Sequence, residues 1–161
     1  MLVSNASTLI LLAKISVFQL FVDNAPKIII PEEVKSEMLA VNTIDARLIA
    51  KEIENKKIGV EESDQNKRRK IQEQFHLDDG EAAAFVLYNE KKHAAILTDD
   101  GELIKLCKVE RIPFVCAMAV VVRLHEKKIL EKKEALEKME KLMAVGRYSK
   151  ELVEHFKHEV G

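Results

Sequence analysis

Apolar and polar positions alternate along the chain in a way that predicts strands and helices in turn. Met1 to Ser4 reads as a strand, followed by a helical run Thr8 to Lys14 with Ser7 placed to cap it. Lys27 to Ile30 is a second β-branched run, ended by Pro31, which suits the first turn of a helix Glu32 to Ala40. Ile44, Leu48, Ile49 and Ile53 recur at helical spacing across Ile44 to Asn55, and Ile58 to Val60 reads as a short strand. Glu61 to Lys70 carries no apolar side chain and reads as a loop or the solvated start of a helix. Asp78 to Glu90 is a helix opened by acids, Ala94 to Thr98 a strand, Asp99 to Lys108 a helix starting directly after it, and Pro113 to Cys116 a further strand.

Strand and helix in alternation argue for a parallel sheet, because parallel neighbours need crossovers and the helices supply them. The expected architecture is α/β and three-layered, a central parallel sheet of four to five strands with helices on both faces, plus C-terminal helices. Past Ala117 the pattern is entirely helical. Leu124, Ile129, Leu130, Leu136, Met139, Leu142 and Met143 mark an amphipathic tail, and Gly146 punctuates it before Lys150 to Val160. The expected organisation is an α/β domain at 1–123 and a helical extension, 124–161, packed on it.

Composition narrows the function classes. With 47% hydrophobic and 33% charged residues the chain has a globular balance, and it holds no apolar stretch long enough to span a bilayer. A cytoplasmic protein with no membrane partner is expected, with Cys107 and Cys116 as reduced core residues, neither at zinc-finger spacing. A net charge of -1 leaves no overall basic field, so any nucleic-acid contact must be local or metal-assisted. Lys14, Lys35 and the run Lys67 to Lys70 are the candidates for phosphate contacts.

In an open α/β sheet the site lies beyond the carboxyl ends of the strands. Asn5 follows the first strand, Glu37 sits on the helix after the second, Glu81 opens the helix before the short strand Ala94 to Thr98, and Asp99 and Asp100 follow that strand. Crowded carboxylates repel and take up protons unless a cation intervenes. Oxygen ligands of this kind favour Mg²⁺ or Mn²⁺, whereas the five histidines are scattered and argue against a histidine-based metal site. Each acid also has a plain reading. Glu37 stands beside Glu32 and Glu33 as part of a solvated helix face. Glu81 is a first-turn acid answering the helix dipole, although Asp78 and Asp79 already do that and leave Glu81 freer for a site.

Four segments in order resemble a known family. Val3-Ser4-Asn5-Ala6-Ser7-Thr8-Leu9-Ile10 resembles the opening of PIN domains, Ile28 to Glu37 the second signature, Asp79-Gly80-Glu81-Ala82-Ala83-Ala84 the third, and Ile96-Leu97-Thr98-Asp99-Asp100 the fourth. The resemblance is closest to small prokaryotic PIN proteins related to the VapC toxins of toxin and antitoxin pairs. It implies a PIN-like fold over 1–123 and a metal-dependent ribonuclease using Mg²⁺ or Mn²⁺, with RNA as substrate, a homodimer, and a possible antitoxin partner. The implied catalytic set is Asn5, Glu37, Glu81, Asp99 and Asp100, with metal held by Glu37, Glu81, Asp99 and Asp100, and with Ser7 in support.

The family's first Asp is Asn5 here, which lacks charge and weakens attraction for Mg²⁺. A weakened or inactive site, a site working with three acids, and an inactivating substitution all account for it. Either acid of the Asp99-Asp100 pair can take the inward role. The Thr two residues earlier favours Asp100 and leaves Asp99 as a helix cap. The alternative function is an impaired PIN fold acting as an RNA- or protein-binding module. A flavodoxin-like nucleotide binder is weaker, because no Gly-rich phosphate loop follows the first strand.

Overall fold

The computed structural model describes residues 1–91, 93–146 and 148–161. In chain order its elements are β1 (Leu2–Ser4), α1 (Ala6–Lys14), α2 (Phe18–Asn24), β2 (Ile28–Pro31), α3 (Glu32–Ala40), α4 (Ile44–Glu54), β3 (Ile58–Glu61), α5 (Gln65–Gln74), α6 (Asp79–Lys91), β4 (Ala95–Leu97), α7 (Gly101–Val109), β5 (Phe114–Val115), α8 (Ala117–Glu126), α9 (Lys132–Val145) and α10 (Lys150–Val160). All strand pairs are parallel and the order across the sheet is β3-β2-β1-β4-β5. The chain winds outward from β1 to β3 and then restarts on the other side of β1 with β4. The strand direction of travel therefore reverses at β1, and the crevice there, at the carboxyl ends of β1 and β4, is where such sheets bind ligands.

The period-two alternation of the strands sorts their side chains between two cores. Val3 lies in register with Ile29 and Ile96. Val3 and Ile29 pack on Ala84 and Leu87 of α6, while Ile96 meets Leu103 and Leu106 of α7. Their neighbours Ile28, Ile30 and Leu97 point the other way, into a larger core with Leu9 and Leu12 of α1 and Met118 and Val121 of α8. Leu9, Leu12, Ile30 and Leu97 are fully buried, each contributing about 1.5–3 kcal/mol. This core pins the first turn of α1 against the sheet beside the crevice.

Several local expectations are corrected. Helix α1 begins at Ala6 with Asn5 as its N-cap residue, so Ser7 lies inside the helix and is not the cap. The polar run after Glu61 contains a complete helix, α5, with no buried residue; it is capped by Asp64, whose side chain accepts from Lys67 N. Helix α7 starts at Gly101, and its N-cap is Asp100, not Asp99. Four helices end in the same hydrogen-bonded turn with a non-glycine residue at positive φ: Ser16, Lys56, Arg111 and Lys128.

The C-terminal helices share the core of α1. Ala135, Met139, Leu142 and Val153 belong to the same apolar cluster as Leu9 and Leu12, and Lys138 Nζ donates to Ile15 O at 2.9 Å. The boundary expected between 123 and 124 falls within α8. No single helix among the described residues is long and apolar enough to cross a membrane; α1 and α2 reach that length only together, across a 119° bend.

Candidate functional site

Two strand ends are stitched together by side chains at the crevice. Asn5 is 3% exposed; its Nδ2 donates to Thr98 Oγ1 at 2.9 Å and its Oδ1 accepts from Ser7 Oγ at 2.9 Å. Ser7 Oγ in turn accepts from the backbone N–H of Asp99 at 2.9 Å, and Thr98 Oγ1 accepts from the N–H of Asp100 at 3.0 Å. Thr98 is fully buried, so this small polar network fixes how the chain leaves β4. Ser7 is thus a tie between α1 and the end of β4, a supporting role for the first segment.

Above this network lies a hollow of about 200 Å³, lined by Asn5, Ser7, Ile10, Glu37, Asp78, Gly80, Glu81 and Asp100. Glu37, Glu81 and Asp100, picked out from three distant segments, therefore face one cavity. Burial raises the Glu37 carboxyl above its ordinary range, and the negative charges of Asp78 and Asp79 add to the shift. Glu81 is pushed up to about 8, first by burial and then by the charges of Asp78 and Asp100, against the lowering effect of a hydrogen bond from the Asp78 backbone. Carboxylates this crowded hold a proton unless a cation offsets their charge.

Asp78 and Glu81 form a reciprocal cap at the start of α6. Asp78 Oδ1 accepts from Glu81 N at 2.7 Å, and Glu81 Oε2 accepts from Asp78 N at 3.0 Å. The expectation that Asp78 and Asp79 leave Glu81 free of helix-capping work is therefore corrected: one of its oxygens is committed and the other remains. Asp78, assigned only to the helix dipole from the sequence, lines the hollow as well. The spacing Asp78-x-x-Glu81 is the sequence signal of such a cap, and the dipole reading alone passed over it.

Gly80 has a specific reason to be glycine. A Cβ placed there would collide with Glu37 Oε1 and come within 3.2 Å of Val34 Cγ2. The bare backbone of Gly80 is the seat on which the Glu37 carboxylate rests at the wall of the hollow.

The two acids after β4 take different places. Asp100 lines the hollow while its Oδ2 caps α7 by accepting from Leu103 N at 2.9 Å. Asp99, grouped with the metal ligands on sequence grounds, does not line the hollow. Its Oδ1 accepts from Thr8 Oγ1 at 2.6 Å and from Ala117 N at 2.9 Å, and its Oδ2 accepts from the Tyr148 hydroxyl. Those three donors make it a junction of α1, α8 and the turn before α10. Burial pushes the Tyr148 phenol upward, with the Asp99 charge adding to it.

The candidate phosphate-binding cations stand apart from the hollow. Arg68 forms an ion pair with Glu33 at 2.8 Å, Lys67 approaches Glu90 at 3.9 Å, and none of Lys14, Lys35 or Lys67 to Lys70 lines the cavity. No histidine lines it either. Among the described residues no group of three or more His, Cys, Asp or Glu side chains is close enough to form a ready metal cage. The donor set still fits Mg²⁺ or Mn²⁺, which bind through one or two carboxylates and keep several waters. Glu37 seated on Gly80 and the uncommitted oxygen of Glu81 are the groups that would reach such an ion, with Asp100 opposite.

A family model described as a PIN domain matches residues 1–161. No curated protein and no solved structure matches the chain.

Proposed function

The chain belongs to the PIN-domain family, a family that includes nucleases and generally depends on divalent metal, and on that premise we propose that it is a metal-dependent ribonuclease. The observation that carries the reading is the meeting of Glu37, Glu81 and Asp100 in one hollow at the reversal point of the sheet. When bound, Mg²⁺ or Mn²⁺ supplies an acidified water as nucleophile and offsets charge on the leaving oxygen. Glu37 and Glu81 would hold the cation, Asp100 bounds the hollow from the α7 side, and the Asp78 cap keeps the Glu81 carboxylate from swinging out. Asn5 contributes an amide oxygen, already engaged by Ser7, in place of a charge. A homodimer and a small antitoxin partner accompany this reading as proposals, tested by the mass of the protein in solution and by the product of any adjacent small reading frame.

The second reading is a PIN fold that binds RNA or protein without cutting. It is favoured by Asn5, whose neutral amide is tied at both ends by Ser7 and Thr98. The two are separated by measuring Mn²⁺ binding and cleavage of a mixed RNA pool for the protein, Asn5→Asp and Glu81→Gln. The Thr98 hydroxyl carries a proton that can turn toward a carboxylate at position 5, so Asn5→Asp keeps the fold. Cleavage that rises about tenfold or more in Asn5→Asp, and is lost when Glu81→Gln is added, is the expected result, one lost metal contact being worth roughly 10–100-fold. Metal binding without cleavage in any of the three leaves the binding module standing, and no metal binding in any of them ends the nuclease reading.

A further inference from the structure

Beside the acidic hollow lies a second, larger cleft of about 530 Å³, and the two share Ser7, Ile10 and Asp100 as a common wall. Its far side is built by Val145, Gly146 and Tyr148. We propose that this cleft is a base subsite, taking the nucleobase next to the phosphate held at the hollow, with the Tyr148 ring as a stacking wall. The inference rests on the nuclease reading and deepens it to single-stranded RNA with little sequence preference.

Two features hold the Tyr148 ring in place. A Cβ on Gly146 would meet Tyr148 Cε2 at 2.7 Å, so the absent side chain lets the ring lie against the backbone. The Tyr148 hydroxyl donates to Asp99, whose other oxygen is taken by Thr8 and Ala117 N. With its hydroxyl tied away, Tyr148 offers ring carbon to the cleft, where Ile10, Leu11 and Val145 add apolar surface. Above Gly101 an added Cβ would meet nothing within 4 Å, so a strand has room to pass the start of α7. Asp99 and Asp100 also line the cleft, Asp99 bonded to the Tyr148 hydroxyl and Asp100 on the wall shared with the hollow, and the apolar side with its one aromatic ring suits a base's flat face. Stacking tolerates any base, since each presents a π-face, whereas a base held in a duplex cannot enter.

The protein has no Trp and two Tyr, so Tyr88→Phe leaves Tyr148 as its sole strong intrinsic fluorophore. The probe is a short single-stranded 2′-O-methyl oligonucleotide in Mg²⁺, bound without turnover, together with copies carrying one abasic residue at successive positions. Quenching of Tyr148 emission on binding is expected, with one abasic position costing about tenfold in affinity. Tyr148→Leu should lose the same factor toward the intact oligonucleotide and nothing further toward the abasic copy, while Tyr148→Phe stays within twofold. A merely structural role for Tyr148 would lower both affinities equally and would overturn the subsite. Tight binding with a flat abasic scan and no quenching sinks the subsite alone. Absence of any binding by the unvaried protein sinks the RNA reading and the subsite with it. Should Tyr148→Leu fail to fold, the scan and the quenching in Tyr88→Phe decide.

Discussion

Replacing Gly80 by Ala puts a methyl group where Glu37 Oε1 now rests, and the consequences for stability and for the site have opposite signs. The methyl meets two neighbours: the end of the flexible Glu37 side chain, and Val34 Cγ2 at 3.2 Å. Glu37 can swing away at little cost to the fold, and Val34 needs to yield only a few tenths of an ångström. Against this, Ala is favoured over Gly in a helix by about 0.8–1 kcal/mol. The folded state should therefore change by less than about 1 kcal/mol in either direction, readable as a urea midpoint close to that of the parent protein. The displaced carboxylate leaves its seat in the wall of the hollow, and loss of the support that orients a metal-binding group typically costs about 10–100-fold in metal affinity. Calorimetric titration with Mn²⁺ at neutral pH measures it directly. Unchanged Mn²⁺ affinity in a well-folded Gly80→Ala protein would refute the role given to the Gly80 seat, and with it the place of Glu37 in the site.

Three further outcomes follow from named contacts. Because the fold raises the Glu81 carboxyl to about 8, its protonated form is the one the native state favours. The associated stability is full below about pH 4.5 and is lost as pH rises to about 8. In EDTA the Tm of the parent protein relative to Glu81→Gln should fall across that interval, and Mn²⁺ should cancel the fall; a difference that is flat or rises with pH contradicts the crowding of the hollow. Asp99→Asn replaces an acceptor oxygen by an NH₂ group among three donors and should cost about 1–3 kcal/mol in urea unfolding, with Mn²⁺ affinity held within twofold. A large loss of Mn²⁺ affinity would instead return Asp99 to the metal site. Lys128, at φ 63 in the turn that ends α8, carries a left-handed penalty of roughly 1–2 kcal/mol, which glycine removes at a smaller cost in unfolded-chain entropy. Lys128→Gly should raise stability by up to about 1 kcal/mol, and a lowered Tm would show that the Lys128 side chain contributes more than its backbone strain costs.

The parts of the fold readable from the sequence are those where one local pattern decides. Ile28 to Ile30 and Ala95 to Leu97 are buried on both faces of a parallel sheet, so each appears as an unbroken apolar run bounded by polar residues. Helix α2 is harder to read because it spans only seven residues: Phe18, Phe21 and Val22 are buried, and the exposed Leu20 interrupts the polar face of Gln19, Asp23 and Asn24. Helix α5 has the opposite problem, since nothing on it is buried and its anchors are the Asp64 cap and the Arg68–Glu33 ion pair. The central place of β1 is set by long-range packing, on which a linear pattern is silent.

The same division explains the site. Residues that follow strands or open helices are carried by topology to one end of the sheet, which makes Glu81 and Asp100 readable, whereas Glu37, in the middle of α3 beside Glu32 and Glu33, stands out only through the resemblance of Ile28 to Glu37 to the second PIN signature. Choosing between Asp99 and Asp100 depends on where α7 begins, and helix boundaries are uncertain by a residue or two from sequence. With the start at Gly101, Asp100 becomes the cap and turns to the hollow, while Asp99 is left one residue back, where Thr8, Ala117 N and Tyr148 converge. One of those partners, Tyr148, comes from the C-terminal segment read only as an amphipathic tail. The tail thus does more than cover the core of α1: through Tyr148 it helps hold Asp99, whose three donors fix the chain one residue before Asp100 without entering the hollow, which is why Asp99→Asn should cost stability and spare Mn²⁺ affinity.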